Sequence, residues 1–219
     1  HGGMPAGDLS YPGEAVLGPF QIAAAVEWFD HQLKGKPYPH RTGVVEAYDI
    51  GADRWEIWED DISSIDEVIF YLRNDGVLSD TVQNTGEIVY EYDPDTPTDS
   101  ISWGLNKASS YCPEAGSRDD VISFVSAPLE EDIHIAGKIT AELYVKSSAP
   151  ATAFGVTVME SFADGRTVWI CDDMTDIRWS DENGPNDYEP GTLRRLTIWM
   201  QDIAWMLKKG SRLRVDIAS

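Results

Sequence analysis

Positive charge is the scarcest property of this 219-residue chain. Its 17 Lys and Arg stand against 38 Asp and Glu, a formal net charge of −21. Nucleic-acid binding needs a basic surface to displace counterions, and anionic membranes ask for the same, so neither partner is expected. No apolar run approaches the ~20 residues of a membrane-spanning helix. Cysteine is nearly missing. Cys112 and Cys171 lie in no CxxC, and two thiols build no disulfide framework. Both are expected to be reduced, which favours a cytoplasmic setting, with a single Cys112–Cys171 disulfide as the alternative. The four histidines (His1, His31, His40 and His134) include no pair at metal-ligand spacing, so zinc is not expected, and no cofactor is called for. The nucleophile signature GxSxG is lacking as well. The nearest string, Ser100-Ile101-Ser102-Trp103-Gly104, has no first glycine.

What is present suits a β-rich domain with many turns: 42% apolar residues, eight Trp, nine Tyr, 12 Pro and 18 Gly. The acidic balance reads as a solubilising surface, or as adaptation to a salt-rich habitat. Residues 19–34 predict a helix. Pro19 suits its first turn, Ile22, Val26, Phe29 and Leu33 fall on one stripe, and Gly35 with Pro37 ends it. Residues 43–50 predict a strand, with a turn and an exposed aromatic segment after it. From about residue 65 strand patterns recur at 67–72, 87–92, 120–126, 138–146, 153–160, 166–171, 193–201 and 211–218. Ile139, Ala141, Leu143 and Val145 alternate with Thr140, Glu142 and Tyr144; Leu213, Val215 and Ile217 alternate with Arg212, Arg214 and Asp216. Such strands imply a two-sheet sandwich or jelly-roll, mainly β, preceded by the helix and strand.

Several motifs occur in order. Trp28-Phe29-Asp30-His31-Gln32-Leu33-Lys34-Gly35 resembles a WFDxxLKG segment, and Gly51-Ala52-Asp53-Arg54-Trp55 a GxxxW turn. Phe70-Tyr71-Leu72 with Gly76 and Leu78, the Tyr92-to-Pro97 segment and the Lys209-to-Ser219 strand follow, as does the 117–145 stretch with its turn around Pro128, the acidic run 130–132 and Gly137. Together they resemble the CocE/NonD-type α/β serine hydrolases, which include cocaine esterase, X-Pro dipeptidyl-peptidase and α-amino acid ester hydrolase. The resemblance covers the end of the catalytic domain and most of the C-terminal jelly-roll. It departs from the family at Ala151-Thr152-Ala153-Phe154, where both aspartates of a DTDF-like segment are replaced, and at Ser211 in place of histidine.

The resemblance implies two parts: residues 1–64 from a hydrolase catalytic domain and residues 65–219 a jelly-roll, with further segments of the enzyme on both sides. It implies a Ser-His-Asp acyl-enzyme mechanism on an acyl ester or X-Pro peptide bond, with His1 as the triad histidine and the serine and aspartate outside this stretch. A tag remnant is the other origin for His1-Gly2-Gly3. The stretch alone is expected to be inactive. Its partners would be the rest of the hydrolase domain and a small acyl ester or peptide substrate. The 22–33 stripe should also promote self-association into a homo-oligomer or aggregate. A different class remains open: a non-catalytic sandwich that binds carbohydrate through Trp55, Trp58, Trp103, Trp169, Trp179, Trp199 and Trp205, or some of them. Asp93, Asp95 and Asp99 mimic part of a calcium loop, and Asp172, Asp173 and Asp176 cluster near a turn; both read first as solvated acids or turn caps.

Overall fold

The computed structural model describes residues 4–6, 9–11, 19–59, 66–83, 86–98, 112–179 and 185–219. Helix α1 spans Pro19–Lys34 and ends as its sequence dictates. Gly35 adopts φ +65°, and the Lys36 N–H turns back to the Asp30 carbonyl at 3.3 Å. Before it, β1 (Met4–Ala6) and β2 (Leu9–Tyr11) form a small antiparallel pair. After it, β3 (Val45–Asp49) and β4 (Arg54–Trp58) form a hairpin. The strand expected at 43–50 is therefore present, but its partner is the antiparallel β4 rather than a parallel neighbour.

The remaining strands build a sandwich. They are β5 (Tyr71–Leu72), β6 (Val77–Ser79), β7 (Ile122–Ser126), β8 (Ile133–Val145), β9 (Ala153–Ser161), β10 (Thr167–Asp176), β11 (Arg194–Leu207) and β12 (Arg212–Ala218). Six of them make one sheet in the order β10-β9-β12-β7-β6-β5, with only β6 and β7 parallel. The long antiparallel pair β8–β11 makes the other layer. Phe124, Phe154, Val156, Val158, Val168, Ile170, Leu213 and Ile217 from the first sheet meet Leu143, Leu196, Ile198, Met200, Trp205 and Leu207 from the second in one core. Each fully buried aliphatic or aromatic side chain contributes about 1.5–3 kcal/mol through loss of hydration.

The alternation expected in β8 holds: Ile139, Ala141, Leu143 and Val145 pack toward the core, while Thr140, Glu142 and Tyr144 face out. In β11 the phase changes partway. Leu196, Ile198 and Met200 point inward, and after an irregularity between Trp199 and Asp202 the inward set becomes Ile203, Trp205 and Leu207. The extra residue leaves Gln201 and Asp202 exposed and re-aims the second half of the strand.

Three expectations change. Residues 87–92 form no ladder; Tyr90 instead packs on the core and bonds through its hydroxyl to Ser219. Gly137 lies inside β8 opposite Ile203 at φ +111°, a conformation that strongly favours glycine, and not in the preceding turn. Arg214 does not face water. It is 3% exposed, paired bidentately with Asp216 at 2.8 and 2.5 Å, and donates to the Pro113 carbonyl at 2.6 Å. Cys112 and Cys171 are both free.

Candidate functional site

His1, the expected triad histidine, and the 100–104 string lie outside the described residues. The other three histidines sit along one route from α1 to the sandwich. His31 Nδ1–H donates to the Lys36 carbonyl at 2.7 Å, and its ring stacks on Tyr38 at 5.4 Å. Tyr38 meets His40 edge-on, and His40 Nε2–H donates to Glu27 at 2.9 Å, so the connector after α1 folds back along the helix. Arg41 bonds Glu59 at 2.7 Å, joining that connector to the end of β4.

The hairpin in turn is seated on the sandwich through Asp49, which is fully buried. Its Oδ1 accepts the Ala52 N–H at 2.8 Å, closing the hairpin turn, and the Met206 N–H of β11 at 2.9 Å. Its Oδ2 lies 2.5 Å from Nε2 of His134 on β8. The angle is not that of a well-directed hydrogen bond, so this is a close polar contact between two otherwise unpartnered buried atoms. Trp58 of β4 covers the imidazole at 5.6 Å. The Ile50 N–H donates to the Ala204 carbonyl at 3.2 Å. Gly51 is required beside them: a Cβ there would lie 2.2 Å from the Met206 carbonyl oxygen. The sequence signal for Asp49 was an acid followed two residues on by glycine.

A second buried acid, Glu160, is 1% exposed on the core-facing phase of β9. Its oxygens accept from Trp205 Nε1–H at 2.8 Å, the Lys208 N–H at 2.8 Å and the Ser211 hydroxyl at 2.6 Å. Three neutral donors thus fix the turn between β11 and β12.

The calcium readings give way to turn caps and ion pairs. The Asp93 carboxylate accepts from the Asp95 N–H at 2.9 Å and the Thr96 hydroxyl at 3.1 Å, while Asp99 lies outside the described residues. Asp173 caps the Met174 N–H at 2.7 Å. The Arg178 guanidinium hydrogen-bonds Asp176 and holds its carboxyl below the usual range. Among the described residues no three His, Cys, Asp or Glu converge on a metal position. No helix in them is long and apolar enough to cross a membrane. Burial pushes the Cys112 thiol up to about 11 and the Cys171 thiol up to about 12, so neither is set up as a nucleophile.

The tryptophans divide. Trp205 is core. Trp55 packs edge-on against Tyr48 in the hairpin, and Trp58 covers His134. Trp103 lies outside the described residues. Trp179 and Trp199, both more than half exposed, line a shallow depression of about 360 Å³ with Asp173, Met174, Thr175, Thr197 and Ile198. Among the described residues, a second open apolar surface is the α1 stripe, beside scattered exposed side chains such as Val68, Val82 and Val89. Ile22, Val26, Phe29 and Leu33 are 68, 54, 53 and 77% exposed, although they occupy the phase a helix ordinarily buries.

Comparison with known proteins accounts for this architecture. The family model of the X-Pro dipeptidyl-peptidase C-terminal non-catalytic domain matches residues 42–219. The cocaine esterase of Rhodococcus sp. (strain MB1 Bresler) is 27% identical over 229 residues, covering 94% of this chain and 40% of that protein. Among solved structures, an aminopeptidase from the marine sediment archaeon Thaumarchaeota archaeon superposes with a TM-score of 0.78 at 18% identity, over 98% of this chain and 38% of its own. An α-amino acid ester hydrolase gives 0.73 at 19% identity, over 88% and 36%. The chain thus spans about two fifths of the curated relative and less of these two solved chains. With a mainly β sandwich and a family match over most of its length, this chain belongs to the X-Pro dipeptidyl-peptidase C-terminal non-catalytic domain family.

Proposed function

We propose that the chain is the C-terminal part of a serine hydrolase of the CocE/NonD type. The part with α1, ahead of residue 42, completes the edge of its catalytic domain, and residues 42–219, matched by the non-catalytic domain family, form the hairpin and jelly-roll beside it. One observation carries the reading: the α1 stripe is formed and capped yet open to solvent, while the hairpin that follows is seated firmly on the sandwich. An amphipathic helix with an empty apolar face has a partner missing, and the catalytic domain is that partner. A free-standing binding module would have no use for it.

The enzyme would cleave an acyl ester or an X-Pro peptide bond. Serine attacks the carbonyl carbon, histidine takes its proton and passes it to the leaving group, and water then releases the acyl-enzyme. His1 is our candidate for that histidine, with serine and aspartate supplied by residues other than these 219. A lone triad member gives no acyl transfer, because nucleophile and base act as a unit. The free thiols fit a reducing, cytoplasmic setting.

The test is to express the intact enzyme encoded by the gene that holds this stretch and assay it on p-nitrophenyl esters and X-Pro-p-nitroanilides. Turnover abolished by His1→Ala supports the reading. An intact product without turnover on either class, or turnover indifferent to His1→Ala, refutes the corresponding part.

A second reading, a carbohydrate-binding module, is favoured by the Trp179–Trp199 depression. Its indole faces and polar rim suit sugar stacking. Saturable quenching of tryptophan fluorescence by oligosaccharides, lost in Trp199→Ala, would support it; no quenching by any sugar tried would remove it.

A further inference from the structure

We propose that Asp49 and His134 form a latch that sets the position of α1, and of the catalytic domain docked on it, relative to the sandwich. Both are then positioning residues of the hydrolase; this inference rests on the hydrolase reading above.

The argument is one of mechanical connection. Among the described residues, helix α1 makes no extensive contact with any strand. The contacts that hold it run through the connector: Glu27 to His40, Tyr38 between His31 and His40, and Arg41 to Glu59 at the end of β4. From there the load reaches the hairpin, and the hairpin meets the sandwich at its Asp49 end. One carboxylate there binds three separate elements: its own turn at Ala52, β11 at Met206 and β8 at His134. The Ile50 bond to Ala204 and the absent side chain of Gly51 bring the two backbones into direct contact. The hydrogen bonds from Ala52 and Met206 make Asp49 directional, so it fixes an angle as well as an attachment. Because Asp49 is fully buried, removing His134 leaves its Oδ2 without a partner, and removing Asp49 orphans the Ala52 and Met206 N–H groups together with the His134 nitrogen, so the seat should open. These contacts form a contiguous chain from α1 to the sandwich, the kind of network through which coupling between domains is carried.

The experiment has two arms. In the 219-residue chain, site-resolved amide hydrogen exchange is compared for wild type, Asp49→Ala, His134→Phe and His134→Gln. Asp49→Ala and His134→Phe should speed exchange at Ala52 and Met206 by about tenfold or more while Val156 and Val158 stay protected. His134→Gln, which keeps an N–H near the carboxylate, should rescue most of the protection. If Asp49→Ala fails to fold, His134→Phe alone decides. Unchanged exchange at both amides, or equal acceleration throughout the sandwich, overturns the latch.

In the intact enzyme the same variants should raise KM by about tenfold with a smaller effect on kcat, since the triad is untouched and only the placement of the neighbouring domain changes. An active enzyme whose KM is indifferent to Asp49→Ala and His134→Phe overturns the positioning role. A wild-type enzyme without hydrolase activity would instead refute the hydrolase reading, and the exchange arm would still decide the latch.

Discussion

Replacing Glu160 tests the energetics of the sandwich most sharply. Its carboxylate is 1% exposed and is held by three neutral donors: the Trp205 indole, the Lys208 amide and the Ser211 hydroxyl. Hydrogen bonds to a charged group contribute about 1.5–3 kcal/mol each, and a buried donor left unsatisfied costs about 1–3 kcal/mol. In Glu160→Gln the amide oxygen can still accept from Lys208 and Ser211. The amide nitrogen, however, then faces the Trp205 N–H, donor against donor. We expect a loss of about 2–4 kcal/mol, against a total of about 5–15 kcal/mol for a typical domain. Glu160→Ala orphans the Trp205 and Lys208 N–H groups, while the Ser211 hydroxyl keeps the Lys208 carbonyl as acceptor at 2.6 Å, and should cost more, about 3 kcal/mol or above with the cavity it leaves. Urea unfolding followed by tryptophan fluorescence reads both. A double-mutant cycle with Trp205→Phe isolates the clash: with the indole N–H gone, the double variant should be less destabilised than the sum of the singles by about 1–2 kcal/mol. A Glu160→Gln cost below about 0.5 kcal/mol, or an additive cycle, would show that these bonds do not carry the stability assigned to them.

Other expectations follow from the same contacts. Tyr188→Phe removes a hydroxyl that accepts the Ser147 N–H at 2.9 Å and donates to the Thr192 carbonyl at 2.7 Å; it should cost about 1–3 kcal/mol in urea unfolding, and an unchanged midpoint would refute the role. Val26→Asp with Phe29→Asp should shift the isolated chain toward monomer in light scattering without changing its melting temperature, because both side chains are exposed; an unchanged mass counts against the stripe as the associating surface. Burial raises both thiols, to about 11 and about 12, above their unfolded values, so the unfolded chain loses these protons first and stability should fall as pH rises from about 8.5 toward 11. At pH 8 the native protein should react with a thiol reagent far more slowly than the urea-unfolded protein, and fast native labelling would contradict the burial. With a net charge of −21, added sodium chloride should raise the melting temperature by screening repulsion; a fall would mean that the surface ion pairs outweigh it.

Much of the fold was legible because its signals are local. The helix bounds followed from Pro19 and Gly35, and the phases of β8 and β12 from strict alternation. What was not legible depends on partners remote in sequence. Residues 87–92 have strand composition but pair with no strand among the described residues, and Tyr90 packs on the core instead. Arg214 read as solvent-facing because its cover, the Pro113 carbonyl, lies 101 residues away. Nothing in the sequence separates Asp49 from the other acids of an acidic chain except the glycine two residues on, while Glu160 shares its strand phase with Phe154, Val156 and Val158. The acidic clusters turned out as caps and ion pairs because short-range backbone donors claim carboxylates before a metal can.

The half-turn of phase inside β11 has a further consequence. Met200 and Ile203 both point inward only because one residue too many sits between them, and that surplus aligns Ala204 and Met206 with the hairpin while Trp205 reaches Glu160. Deleting Gln201 would remove the surplus, and a regular ladder would still hold Ile203, Trp205 and Leu207 on the core face, in step with Leu196, Ile198 and Met200. The bulge thus works as a spacer: it absorbs an odd residue so that the apolar residues of both halves of the ribbon share one side, and this is where the strand can lose a residue without exchanging its faces.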